Sequence, residues 1–82
     1  MILMDLCKIK NKVVGKKQTI DVIIAGKANR VFLANDVDKD IMDEVCRISK
    51  ENDVFVITVE SKLKLGRACG IDVSAACAAL LK

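Results

Sequence analysis

The chain contains no histidine, proline, tryptophan or tyrosine. Without histidine it lacks the commonest general base and the usual imidazole metal ligand. Ser49, Ser61 and Ser74 therefore have no partner for a Ser-His-Asp triad. A zinc site would need four scattered thiols, because Cys7, Cys46, Cys69 and Cys77 form no C-x-x-C pair. Each cysteine falls within an apolar pattern, so each is expected to be a small buried hydrophobe in a reducing compartment. With no proline and only four glycines, the chain reads as neither linker nor disordered segment. Phe32 and Phe55 are the only aromatics, and both fall in apolar stretches. Folds that stack bases on exposed aromatic platforms are therefore disfavoured.

Long hydrophobic runs are missing too. No stretch approaches the length that spans a bilayer. The opening Met1-Ile2-Leu3-Met4 is broken by Asp5 and is too short for a signal-peptide core. The expectation is a cytoplasmic protein with no membrane partner. Neither G-x-x-x-x-G-K-[ST] nor G-x-G-x-x-G occurs, so the common phosphate loops are absent. These absences argue against an enzyme and against a bound cofactor or metal.

What is present is enough for one folded domain over residues 1–82. The chain is 52% hydrophobic, which supplies a core. Charge is segregated along it: net +5 over residues 1–34, −5 over 35–60 and +3 over 61–82, for the overall +3. Such segregation lets a nearly balanced protein present one basic face, the electrostatic footprint of nucleic-acid binding.

Residues 2–10 can form a short helix with Leu3, Leu6 and Cys7 on one side. Val13-Val14 is a candidate short strand. A helix is expected over about 16–25, with Ile20, Ile23 and Ile24 inward and Gly26 as its C′ residue. Arg30 to Ala34 reads as a buried strand. Asn35, Asp36 and Asp38 form a turn, and Asp38 is a plausible N-cap for a helix over 39–51 carrying Ile41, Val45 and Ile48. Asn52-Asp53 closes that helix. Val54 to Val59 is the clearest strand. Strand, helix and strand with short connections argue for a right-handed βαβ unit with parallel strands. Ser61 can cap a helix over 62–69, ended by Gly70. Val73 to Leu81 is ambiguous: its alanines favour helix, yet their small side chains also suit a strand under a helix.

Two clusters could carry chemistry. Asp36, Asp38, Asp40 and Asp43 lack the spacing of a calcium loop, and helix capping accounts for most of them. Gly15-Lys16-Lys17-Gln18-Thr19 is more informative. It places a glycine, two lysines and an amide at a helix start. A helix N-terminus offers unpaired N–H groups and partial positive charge, the lysines add full charge, and Gln18 can read a base edge. A solvated basic turn is the alternative reading of that pentapeptide.

Together with Val31-Phe32-Leu33-Ala34-Asn35-Asp36, Asn52-Asp53-Val54 and the run Leu65-Gly66-Arg67-Ala68-Cys69-Gly70-Ile71-Asp72-Val73-Ser74-Ala75-Ala76, this pentapeptide resembles the L7Ae/L30e ribosomal-protein superfamily. The similarity covers essentially the whole chain in order and is greatest to the small stand-alone bacterial members. The resemblance implies a three-layer α-β-α sandwich around a four-stranded mixed sheet, with 75–81 as a central strand. It implies a non-catalytic partner of kink-turn RNA, a sharp bend built on tandem sheared G·A pairs, in ribosomal RNA or another structured RNA. By position, Lys17 and Gln18 would face the G·A pairs, with Lys16 and Thr19 flanking them and Gly15 completing the RNA-binding segment. Ile71, Asp72, Val73 and Ser74 would pack on the bulged nucleotides. A monomer is the simplest expectation, with the ribosome a possible setting. The chain departs from the pattern at Lys17-Gln18, where archaeal and eukaryotic members carry Asn-Glu. It departs again at Asp21, where most members carry a lysine, and at Lys39, where proline is usual. The alternative reading is a protein-interaction module that docks a basic partner on the acidic helix 39–51.

Overall fold

The computed structural model describes residues 11–71 and 73–82. The helix expected over 2–10, Cys7 and Asp72 lie outside them. The elements run β1 (Lys12–Val14), α1 (Lys16–Ile24), β2 (Ala28–Ala34), α2 (Lys39–Glu51), β3 (Phe55–Val59), α3 (Lys62–Ala68) and β4 (Cys77–Leu81).

The four strands form one sheet in the order β1-β4-β2-β3. β2 and β3 are parallel, with Val31 opposite Val56 and Leu33 opposite Thr58. β4 is antiparallel to both of its neighbours, pairing Val13 with Ala79 on one side and Val31 with Ala79 on the other. β2-α2-β3 is thus the parallel unit that the short connections require. The sheet is mixed, as the resemblance implies.

Alternation along the strands builds two core layers. Val31 and Leu33 of β2, with Cys77 and Ala79 of β4, meet Ile23 of α1 and Val45 and Ile48 of α2. Phe32 and Ala34, with Ala78 and Leu80, meet Leu65 and Cys69 at α3. α1 and α2 therefore cover one face of the sheet and α3 the other, giving three layers. Burying each of Leu33, Leu65 and Val45 contributes roughly 1.5–3 kcal/mol against leaving it exposed.

The Ala-rich stretch before Leu80 is a strand despite its helix propensity. β4 lies between two strands and under helices on both faces. There its backbone groups are satisfied by the ladder, and the small side chains of Cys77, Ala78 and Ala79 let the helices pack closely on both faces. The strand occupies 77–81, and Ala75 and Ala76 lead into it. The start of α3 and the end of α2 follow their capping chemistry. Ser61 Oγ accepts from the Lys64 amide at 3.1 Å. Asn52 Nδ2 donates to the Ile48 carbonyl at 2.9 Å, and Asp53 takes the left-handed conformation that ends α2.

Three expectations need correction. Ile24 points outward, 64% exposed, because the inward face of α1 is formed by Thr19, Ile20, Val22 and Ile23. Cys46 is exposed rather than buried, since it follows Val45 around α2 and leaves the apolar stripe. Phe55, placed in an apolar stretch by the sequence, starts the edge strand β3 and is 72% exposed. Asp38 does occupy the N-cap position of α2, though its side chain makes no capping bond.

Candidate nucleic-acid interface

β1 ends at Val14, and the chain turns at once into α1. The turn is made by Gly15 at φ 106° and ψ 154°, a backbone conformation that L side chains rarely adopt. A Cβ at Gly15 would meet nothing within 4 Å, so the glycine is required by its dihedral and not by crowding. Its N–H donates to the Cys77 carbonyl at 2.8 Å, and its carbonyl accepts from Thr19 at 3.0 Å. These two bonds fix the start of α1 on the first residue of β4.

Among the described residues no side chain caps α1, and its first turn carries no acid. The other described helices differ. α2 has Asp40 in its first turn. α3 is capped by Ser61, and Asp36 Oδ1 accepts from the Lys62 amide at 2.8 Å. The N-terminus of α1 thus leaves its first amides for water or a ligand, with a positive dipole end behind them.

The pentapeptide splits into three roles. Lys17 and Gln18 are exposed on the first turn. Lys16 reaches sideways, its Nζ 2.8 Å from Glu44 Oε1 on α2. Hydrogen bonding and attraction from Glu44 hold the Lys16 ammonium above the usual lysine range. Thr19 turns inward and is fully buried, so only its backbone faces the helix entrance. Among the described residues its hydroxyl has no well-aligned partner, and it lies beside the Cys77 thiol. Burial pushes that thiol above its ordinary value, and the contacts with Thr19 and Lys16 oppose the shift. Asp21 is exposed four residues after Lys17, an order in which the pair is less favourable than acid before base.

The second segment approaches from the other side of β4. Ile71 is half-buried against the α3 core layer, Val73 is 66% exposed, and Ser74 is exposed. Three bonds tie this loop down. The Ile71 amide donates to the Gly66 carbonyl at 3.1 Å, the Ala75 amide to the Lys62 carbonyl at 3.0 Å, and the Ala34 amide to the Ala76 carbonyl at 2.9 Å. Gly66 is the reason the loop can lie so close. A Cβ there would collide with the Val73 carbonyl and stand 3.1 Å from the Ser74 Cα. Since Ser74 is three residues before Cys77, and Cys77 bonds Gly15, the two segments meet at one end of the sheet.

The remaining acids do not form a metal centre. Asp36 is committed to α3, and no group of three or more possible ligands converges among the described residues. No helix among them is long and apolar enough to cross a membrane. Sequence reasoning missed Glu44 as the partner of Lys16, Asp36 as a cap 26 residues from its helix, and Gly66 as the seat of the loop. Only the Leu65-Gly66 motif carried any signal for these, and that signal came through resemblance.

Residues 3–82 match the profile of the ribosomal protein L7Ae/L30e/S12e/Gadd45 family. An RNA-binding protein of Geobacillus sp. (strain WCH70) is 46% identical over 70 residues, which cover 85% of each chain. The RNA-binding protein YbxF of Geobacillus stearothermophilus is 43% identical over the same length and coverage. Among solved structures, the 15.5 kD RNA-binding protein of Giardia lamblia superposes with a TM-score of 0.87 at 25% identity. That superposition covers 98% of this chain and 68% of the Giardia protein.

Proposed function

This chain belongs to the ribosomal protein L7Ae/L30e/S12e/Gadd45 family, and on that premise we propose that it is a non-catalytic RNA-binding protein that recognises kink-turn RNA. The observation that carries the reading is the uncapped, acid-free start of α1, which presents Lys17 and Gln18 beside a loop with an exposed valine. Gln18 supplies one acceptor and a donor pair for the edges of sheared G·A pairs. Lys17 supplies a donor with full charge. The first-turn amides and the helix dipole favour the nearby phosphates. On the other side of Cys77, Val73 offers an apolar surface to an unstacked base, and Ile71 anchors the loop beneath it. Gly15, Lys16, Thr19, Asp72 and Ser74 complete the proposed contact region. Gly15 and Thr19 act through the backbone they set.

The names of the relatives in Geobacillus support RNA as the partner. Ribosomal RNA and other structured RNAs carrying the bend fit this site equally. A partner protein on α2 fits less well, because Glu44 is already engaged by Lys16.

Single substitutions test the assignment. Lys17→Ala or Gln18→Ala should each weaken kink-turn binding by about 1–3 kcal/mol, the size of a base-edge contact. Wild-type affinity should also fall as salt rises, because phosphate contacts release counterions. Unchanged affinity in both variants would remove this surface from the reading.

A further inference from the structure

Lys16 and Lys17 are neighbours with opposite fates. Among the described residues Lys17 makes no ion pair, whereas Lys16 spans from α1 to α2 and meets Glu44 at 2.8 Å. Asp40, one turn earlier on α2, adds attraction to the same ammonium. Glu44 is not placed there by chance rotation of a free helix. Its neighbour Val45 is fully buried, and Ile41 and Ile48 pack into the same layer as Ile23 of α1. The core therefore fixes a carboxylate along one flank of the open α1 N-terminus.

We propose that Glu44 is a specificity-determining residue of the RNA site. This rests on the function proposed above. Phosphate contacts supply affinity for any RNA, while base-edge contacts supply discrimination. Glu44 occupies the Lys16 ammonium and sets a negative charge beside it. An arbitrary duplex that offers only phosphates meets a neutralised lysine and a repelling carboxylate on this flank. A bent RNA that presents G·A edges to Lys17 and Gln18 still has its recognition contacts. The acidic α2 thereby lowers background binding more than specific binding, a use of repulsion against wrong partners.

The test is Glu44→Gln, which keeps the side chain's size and removes its charge. Wild type and variant are titrated with two RNAs at several salt concentrations. One is a short kink-turn RNA, and the other is the same RNA with its G·A pairs changed to Watson–Crick pairs. The variant should bind the Watson–Crick RNA roughly two- to fivefold more tightly, the scale of an exposed ion pair. Its affinity for the kink-turn should change less. Its salt dependence on the Watson–Crick RNA should steepen by about one counterion. Adding Lys16→Gln should erase the gain. Unchanged affinity and slope for the Watson–Crick RNA would overturn the proposal. So would weakened kink-turn binding alone, which would make Glu44 a support for recognition. The wild-type comparison of the two RNAs reads the proposed function separately, because the variant's effect on the Watson–Crick RNA does not depend on it.

Discussion

Gly66→Ala should destabilise the fold and displace the loop after α3. In an ordinary helix this change is favourable, because alanine exceeds glycine in helix propensity by about 1 kcal/mol. At Gly66 the new methyl would run into backbone, at the Val73 carbonyl and close to the Ser74 Cα. No flexible side chain stands there to swing away. Overpacking of this kind costs about 1–3 kcal/mol, and rigid backbone places the cost at the upper end. The net effect is a loss of about 1–2 kcal/mol after the propensity gain is subtracted. For a domain of this size that lowers Tm by roughly 5–15 °C. The loop shift should also break the bond from Ile71 to Gly66 and move Val73, so RNA binding should weaken with stability. Thermal melting by circular dichroism and a kink-turn titration read the two effects. A variant as stable as wild type, with unchanged binding, would mean that the loop does not rest on Gly66.

Two further outcomes follow from the capping and burial pattern. Asp36→Ala should cost about 0.5–2 kcal/mol, because it removes an acceptor from the first amide of α3. Asp38→Ala should cost less, as its side chain makes no capping bond; equal losses in urea unfolding would contradict the assignment. Cys69 and Cys77 are buried, and burial raises both thiols, so a thiol reagent at neutral pH should label Cys46 before these two, which react only on unfolding. Because their folded values lie above the unfolded one, the folded state binds more protons in alkali. Stability should then decline as pH rises past about 8.5, where an unfolded cysteine ionises. Peptide mass spectrometry of the labelled native protein and a pH series of melts check the pair. Fast labelling of Cys77 would mean that β4 opens far more readily than its position between two strands implies.

The parts of the fold that follow local rules were legible in the amino-acid sequence. α2 spans 39–51 as its apolar period and capping residues predict, and Ser61 caps α3 as expected. β4 was not legible from local rules. Its alanines speak for a helix, and only the two flanking strands and the helices above and below make it a strand. The family resemblance supplied what propensity could not. At the site, the glycine turn and the exposure of Lys17 and Gln18 could be anticipated, because they depend on one helix end. The inward turn of Thr19 depends on where the apolar stripe of α1 meets β4. The pairing of Lys16 with Glu44 depends on two helices sharing one face of the sheet. Such contacts have no local signature, since the partners lie far apart in the chain.

On the proposed function, the start of α1 and the loop after α3 together recognise a structure in RNA and not negative charge alone. The most direct measurement is wild-type affinity for a short kink-turn RNA against the same RNA carrying Watson–Crick pairs in place of its two G·A pairs. Binding to the first should be tight, and binding to the second much weaker and strongly salt-dependent. Equal affinity for both, or binding to neither, would contradict the proposed function.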